Sequence, residues 1–205
     1  MKNILYVDTP SAKSLSIEVD IDTIKVDSIT AFEDYNKFSN LCKDGCPNYQ
    51  QKWSCPPYSP KFTEYSNGFI YITICAMTMH LGQLLYIKND YLKVKAANSI
   101  LKSKADKILG SFVTEHTKYI STGSCRLCKP CKCKKGESCA HSSKMAYSFE
   151  ALGIDVNKIT ESLFDFELLW HKKGNCPLYT SVVVGLLTIE KPNKENILRT
   201  LQNVY

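Results

Sequence analysis

Residues 69–79 read FIYITICAMTM. The stretch is β-branched and aromatic, carries no charge, and has apolar residues at both odd and even positions. A strand of this kind is covered on both faces, so it reads as the buried central strand of a sheet. Residues 89–115 then give the best helix in the chain. Val94, Ala97, Leu101, Ala105, Ile108 and Phe112 recur at three- and four-residue steps and form one apolar stripe, and Asn89 is a suitable N-cap. On the N-terminal side, residues 3–7 and 14–26 alternate apolar and polar positions and predict strands, and residues 30–40, TAFEDYNKFSN, predict a short helix.

Further along, residues 118–121 predict a strand, residues 143–156 a short helix ended by Gly153, and residues 156–164 another helix. FELLWH at 166–171 and TSVVVGLLTIE at 180–190 predict strands, with 172–179 as the turn between them and a last helix over 193–201. Strands and helices alternate without a fixed period. The expected fold is α/β or α+β, a mixed sheet packed with helices, with a cysteine-rich metal-binding lobe inserted after the long helix. Residues 1–205 read as a single domain that contains an N-terminal cysteine loop (40–62) and the cysteine-rich lobe (123–145).

At 205 residues and 44% hydrophobic, the chain can bury one sizeable core or one core plus a small metal-stapled lobe. No apolar run approaches a membrane span, and the N-terminus, MKNILYVDTPSAKSLSIEVD, lacks the apolar centre of a secretory signal. A soluble, cytoplasmic protein is expected. Ten cysteines is a high count for such a protein. Disulfides are disfavoured in the cytosol, where clustered thiols more often bind metal or do redox chemistry.

The densest cluster is CRLCKPCKCKKGESC at 125–139, with Cys125, Cys128 and Cys131 at successive x2 spacing and Cys139 after seven intervening residues. This is iron–sulfur spacing, in which thiolates wrap a compact multi-metal centre. Zinc ribbons instead pair two CxxC units separated by a longer stretch. A 4Fe-4S cluster is the leading reading, structural zinc the second and free thiols the third. Cys133 is crowded against Cys131 and reads as an unligated thiol. A second group, Cys42-x3-Cys46-x8-Cys55, lies in the loop LCKDGCPNYQQKWSCPPYSPKF, whose prolines and glycine forbid long regular structure. Seven clustered cysteines exceed the needs of one cube. Either the chain holds two clusters, the N-terminal one with three thiolates and an open or borrowed fourth position, or one cluster draws on both groups. Cys176, before Pro177, is a candidate for the missing fourth thiolate, whereas Cys75 reads as a small buried hydrophobe.

The net charge of +6 is local. Between Cys125 and Lys144 stand Arg126, Lys129, Lys132, Lys134, Lys135 and Lys144 against one acid, Glu137, so this stretch carries five of the six net charges. A general nucleic-acid binder spreads its bases over a wider face. Here they surround thiolates, where they stabilise a cluster's negative charge and offer a docking patch to an acidic redox partner; a merely solubilising surface is the alternative. His141 is the histidine nearest the run, and Trp53 and Tyr49 flank the N-terminal thiols. A phosphate-binding glycine loop, a dinucleotide fingerprint, a hydrolase nucleophile elbow and the CxxxCxxC of a radical-SAM enzyme are all missing.

The two cysteine blocks, LCKDGCPNYQQKWSCPPYSP and GSCRLCKPC…ESCAH…KM…SFEALGIDV, together resemble a family of cysteine-rich, predicted metal-binding proteins with a domain of unknown function. The resemblance covers most of residues 40–160. It implies Cys42, Cys46, Cys55, Cys125, Cys128, Cys131 and Cys139 as ligands and leaves Cys75, Cys133 and Cys176 outside the pattern. The chain departs from the family pattern at Ser142, where a proline is usual, and at Ala146-Tyr147, where an Arg-Pro pair is usual. The resemblance brings no reaction with it. Three functions follow as expectations: an iron–sulfur protein with one or two clusters passing electrons to a partner protein, an enzyme using the open iron of a three-cysteine cluster, or a zinc-stapled module binding RNA or protein.

Overall fold

The computed structural model describes residues 3–9, 12–172 and 174–203. Six strands form one mixed sheet: β1 (Asn3–Thr9), β2 (Ala12–Lys25), β3 (Tyr71–His80), β4 (Thr117–Ser121), β5 (Tyr147–Ser148) and β6 (Tyr179–Thr188). Their spatial order is β1-β2-β3-β6-β4-β5. Only β4 and β5 pair in parallel, and every other neighbouring pair is antiparallel. The helices are α1 (Asp27–Thr30), α2 (Tyr35–Gly45), α3 (Phe62–Tyr65), α4 (Asp90–Gly110), α5 (Val156–Phe164) and α6 (Lys194–Asn203). The class is α+β.

β3 lies inside the sheet between β2 and β6, and its side chains divide two cores as strand alternation requires. Cys75, Met77 and Met79 point into a core shared with Ala97, Leu101, Ala105 and Ile108 of α4. Ile72, Ile74 and Ala76 point to the opposite core, with Ile29 of α1, Ile159 of α5 and Phe149. Asn89 caps α4 as expected, its side chain accepting from the Leu92 N–H at 3.0 Å. Among the described residues no helix is long and apolar enough to cross a membrane.

Three elements differ from the sequence expectation. The helix expected over 30–40 begins only at Tyr35, because Asp34 caps it by accepting from the Lys37 N–H at 3.0 Å, while Glu33 is held in a bridge to Ile154. The helix expected over 143–156 is instead β5 followed by a 3₁₀ turn at Glu150–Leu152. Pairing of Tyr147 and Ser148 with Ile120 and Ser121, and burial of Phe149, outweigh the helical spacing. FELLWH forms no strand. Leu168 is buried, but the Glu167 carbonyl accepts from the Tyr179 hydroxyl at 2.7 Å rather than from a neighbouring strand. Of the predicted turn at 172–179, Lys173 falls outside the described residues.

Two close approaches set the region around the N-terminal cysteine loop. Gly153 has φ +87°, and a Cβ there would stand 2.6 Å from the Tyr35 Cα. Only glycine lets the 150–152 turn lie this close to the start of α2. A Cβ on Gly185 would meet the Phe149 ring at 2.8 Å, so the bare β6 backbone makes room for the residue that precedes this turn.

Candidate metal centre

Cys42 stands in the last turn of α2 and Cys46 caps that helix, its N–H donating to the Cys42 carbonyl at 3.0 Å. Four residues apart on one helical turn, the two thiols face the same way. Cys55 follows in the proline-rich loop and is 7% exposed. The Ser59 hydroxyl donates to the Ala151 carbonyl at 2.6 Å, and the Tyr35 hydroxyl donates to the Ser59 carbonyl at 2.7 Å. These bonds tie the loop to both α2 and the 150–152 turn. Cys42, Cys46 and Cys55 then line one cavity of about 200 Å³, with Tyr49, Ser124, Ser148 and Glu150 among its other walls. A water's share of liquid volume is about 30 Å³, so the space exceeds what one ion needs.

The electrostatics agree with a shared site. Burial pushes the Cys55 thiol up to about 11; the neighbouring Cys46 and Cys42 add to the rise, and Ser54 and Lys52 oppose it. Cys42 is raised by burial, then by Cys46 and Glu150. A metal must displace these protons, and the positive charge it brings supplies the driving force.

The C-terminal set lies on the loop after β4. The Cys128 thiol donates to the Cys131 sulfur; desolvation, then Cys131 and, least, Cys125 raise it, against the Lys132 backbone N–H. Burial pulls Cys131 up, but the backbone N–H groups of Cys133 and Trp53, the Cys128 thiol and the Lys52 ammonium outweigh it and hold it below the ordinary thiol range. A sulfur that collects N–H donors is prepared for the thiolate state that a metal needs. Cys139 is half-buried and within electrostatic reach of Tyr147. Cys133 is buried and donates to the Gln50 carbonyl at 3.9 Å.

The two sets are neighbours. The Lys52 ammonium donates to the Ser124 hydroxyl at 3.0 Å and the Cys125 carbonyl at 2.7 Å. The Trp53 indole N–H donates to the Glu137 carbonyl at 2.9 Å, and the Cys125 N–H donates to the Ser54 hydroxyl at 3.1 Å. Cys176 is elsewhere. It stands beside Asp90 and Lys93 at the start of α4, whereas Lys102 of the same helix meets the lobe through the Thr122 carbonyl at 2.6 Å. Twelve residues at ~1.5 Å rise separate Asp90 from Lys102 by about 18 Å along α4, and among the described residues no thiol of either set is found beside Cys176. Cys75 is fully buried in the core, as a small hydrophobe would be.

Among the described residues no three His, Cys, Asp or Glu side chains close on a single point as ligands of one ion do. The N-terminal thiols line a shared cavity, Cys128 and Cys131 are in hydrogen-bond contact with Cys125 nearby, and Cys139 lies beside Tyr147. Arg126, Lys129, Lys132, Lys134 and Lys135 are all exposed around the C-terminal set, and Lys132 pairs with Glu137 at 3.4 Å. Lys52, Ser54, Glu150 and the pair of buried Lys102 with half-exposed Asp106 are residues around the site that cysteine spacing does not reveal. Lys102 did leave a trace in the sequence, as a lysine on the apolar stripe of α4 with an acid one turn later.

A family model described as a predicted metal-binding protein (DUF2284) matches residues 23–187, a span that includes all ten cysteines. No curated protein and no solved structure matches the chain.

Proposed function

The chain belongs to this family of predicted metal-binding proteins, and on that premise we propose that it carries iron–sulfur clusters on two adjacent thiolate sets and exchanges electrons with an acidic partner protein in the cytoplasm. One observation carries the reading: two sets of cysteines, distant in sequence, are joined by the hydrogen bonds of residues 52–54 into a single region. The donor chemistry suits clusters. Every candidate ligand is a cysteine, the C-terminal spacing is the iron–sulfur one, and the three N-terminal thiols line one cavity. A bound cluster supplies a one-electron couple. The protein's part is to hold the thiolates, to shield them and to place charge near them.

Cys125, Cys128 and Cys131 hold one centre, with Cys139 as the fourth thiolate; Cys42, Cys46 and Cys55 hold the other. Lys52 and the exposed bases lower the cost of added negative charge. The same bases form a surface that attracts an acidic partner, with the half-exposed Leu127 among them as an apolar contact. Anaerobically purified protein should be brown, and its visible absorption should bleach with dithionite and return with air-free oxidant. A colourless protein, or colour that does not respond, contradicts the reading.

The cavity favours a second reading of the N-terminal set. Three thiolates leave one position to be filled from outside, in a half-open cavity bordered by Glu150, Tyr49 and Ser124. A metal with a free position there acts as a Lewis acid on a small ligand. Perturbation of the centre's spectrum by small exogenous thiols or carboxylates, abolished by filling the cavity through Ser148→Phe, tests it.

A further inference from the structure

Residues 52–54 are three consecutive residues whose side chains all reach from the N-terminal cysteine loop to the C-terminal lobe. Lys52 bonds to Ser124 and to the Cys125 carbonyl, Trp53 to the Glu137 carbonyl, and Ser54 accepts from the Cys125 N–H. Ser54 is also 3.9 Å from the Cys55 sulfur and is 1% exposed. Its hydroxyl therefore has no bulk water to turn to. One oxygen accepts from a residue of one set and lies beside the sulfur of the other, and the hydroxyl proton is free to point at that sulfur. Lys52 sits between the sets: it lies three residues before Cys55, and its ammonium donates to the Ser124 hydroxyl and the Cys125 carbonyl.

This arrangement has a thermodynamic consequence. Metal at the C-terminal set fixes the Ser124–Cys125 backbone, which supplies partners for Lys52 and Ser54. Those partners fix the loop that carries Cys55. The ordering cost of the N-terminal set is then partly met before its own metal arrives, and the same holds in reverse because linkage is reciprocal.

Resting on the reading that both sets hold metal, we infer that residues 52–54 couple them, so that metal at one set raises the occupancy of the other. Ser54 is the hydrogen-bonded link, and Lys52 is a counter-charge that both sets share.

The test uses the full chain, purified anaerobically and held against a chelator so that metal is limiting, with metal per chain as the readout. Cys42→Ser with Cys46→Ser leaves only the C-terminal set, and Cys125→Ser with Cys128→Ser leaves only the N-terminal set. Coupling predicts that the intact chain holds severalfold more metal than the two half-disabled chains together, within the ordinary coupling range of about 5–150-fold in affinity. The excess should disappear in Lys52→Met and in Ser54→Ala, and should persist in Lys52→Arg, which keeps the charge. Circular dichroism confirms that each variant is folded; where Ser54→Ala is not, Lys52→Met decides. Additive metal content in the intact chain, or an excess that survives Lys52→Met, overturns the coupling while leaving the cluster reading standing. Zinc without sulfide overturns the cluster reading, and the same comparison then judges the coupling on zinc.

Discussion

The Lys102 ammonium stands 3.2 Å from the Asp106 carboxylate one turn later on α4, at a position where Lys102 is only 6% exposed. The same ammonium donates to the Ser121 hydroxyl and the Thr122 carbonyl, both at 2.6 Å. The Tyr119 and Ser121 hydroxyls donate to Asp106 at 2.8 and 2.7 Å. A cation pushed into the apolar stripe of a helix is thus satisfied by the end of β4, where the cysteine lobe begins. The pair anchors the lobe to the rigid part of the fold.

Lys102→Met should therefore cost stability although the new side chain is apolar and of similar length. It leaves the Thr122 carbonyl without its donor and Asp106 without its cation. Asp106 is 40% exposed, so solvent offsets part of the loss, and a decrease of about 1–3 kcal/mol is expected. The urea midpoint of the purified chain measures it. An unchanged midpoint would mean that the network does not anchor the lobe.

Gly153→Ala should destabilise the N-terminal set directly. A left-handed backbone costs a non-glycine residue about 1–3 kcal/mol, and the added Cβ would press on the Tyr35 backbone at 2.6 Å. Displacement of α2 moves Cys42 and Cys46. Faster alkylation of these thiols in the metal-free protein, read by peptide mapping, is the expected result, with Cys125 and Cys128 little changed.

How far the sequence revealed this architecture depends on the range of the interactions involved. β3, α4 and β6 were legible because their own burial patterns determine them, and the Asn89 cap was legible because capping is local. The 143–156 segment was misread because a parallel pairing with β4, Ile120 to Tyr147 and Ser121 to Ser148, overrides its helical spacing. FELLWH was misread because alternation reports burial of Leu168, and burial does not require strand pairing. The cysteine ligand candidates were visible from spacing alone. Lys52 and Ser54 were not, because their meaning comes from residues more than seventy positions later.

Cysteine substitutions should separate ligands from bystanders. Cys128→Ser should remove the metal of the C-terminal set. Cys133→Ser should retain it, since the serine hydroxyl can donate to the Gln50 carbonyl in place of the thiol. Iron and sulfide per chain measure both, and equal losses in the two variants would make Cys133 a ligand.

Cys75 gives a pH dependence that is independent of metal. It is fully buried, and desolvation, with a smaller contribution from Asp20, pushes its thiol up to about 12 from 9.0. The unfolded chain releases this proton above pH 9 while the folded chain keeps it. The folded state's advantage is therefore intact below pH 9 and declines toward pH 12, by at most about 1.4 kcal/mol per pH unit. Other thiols and tyrosines titrate in the same range, so the difference between wild type and Cys75→Ala isolates the contribution. Cys75→Ala should be the less stable protein at pH 8, and the gap should narrow at pH 10.

The central claim is that both thiolate sets hold iron–sulfur clusters, and metal analysis tests it most directly. Protein purified anaerobically from iron-replete cells should contain iron and acid-labile sulfide in near-equal amounts, with both lowered by serine at Cys42 and Cys46 or at Cys125 and Cys128. Zinc without sulfide in the same preparation would contradict the account.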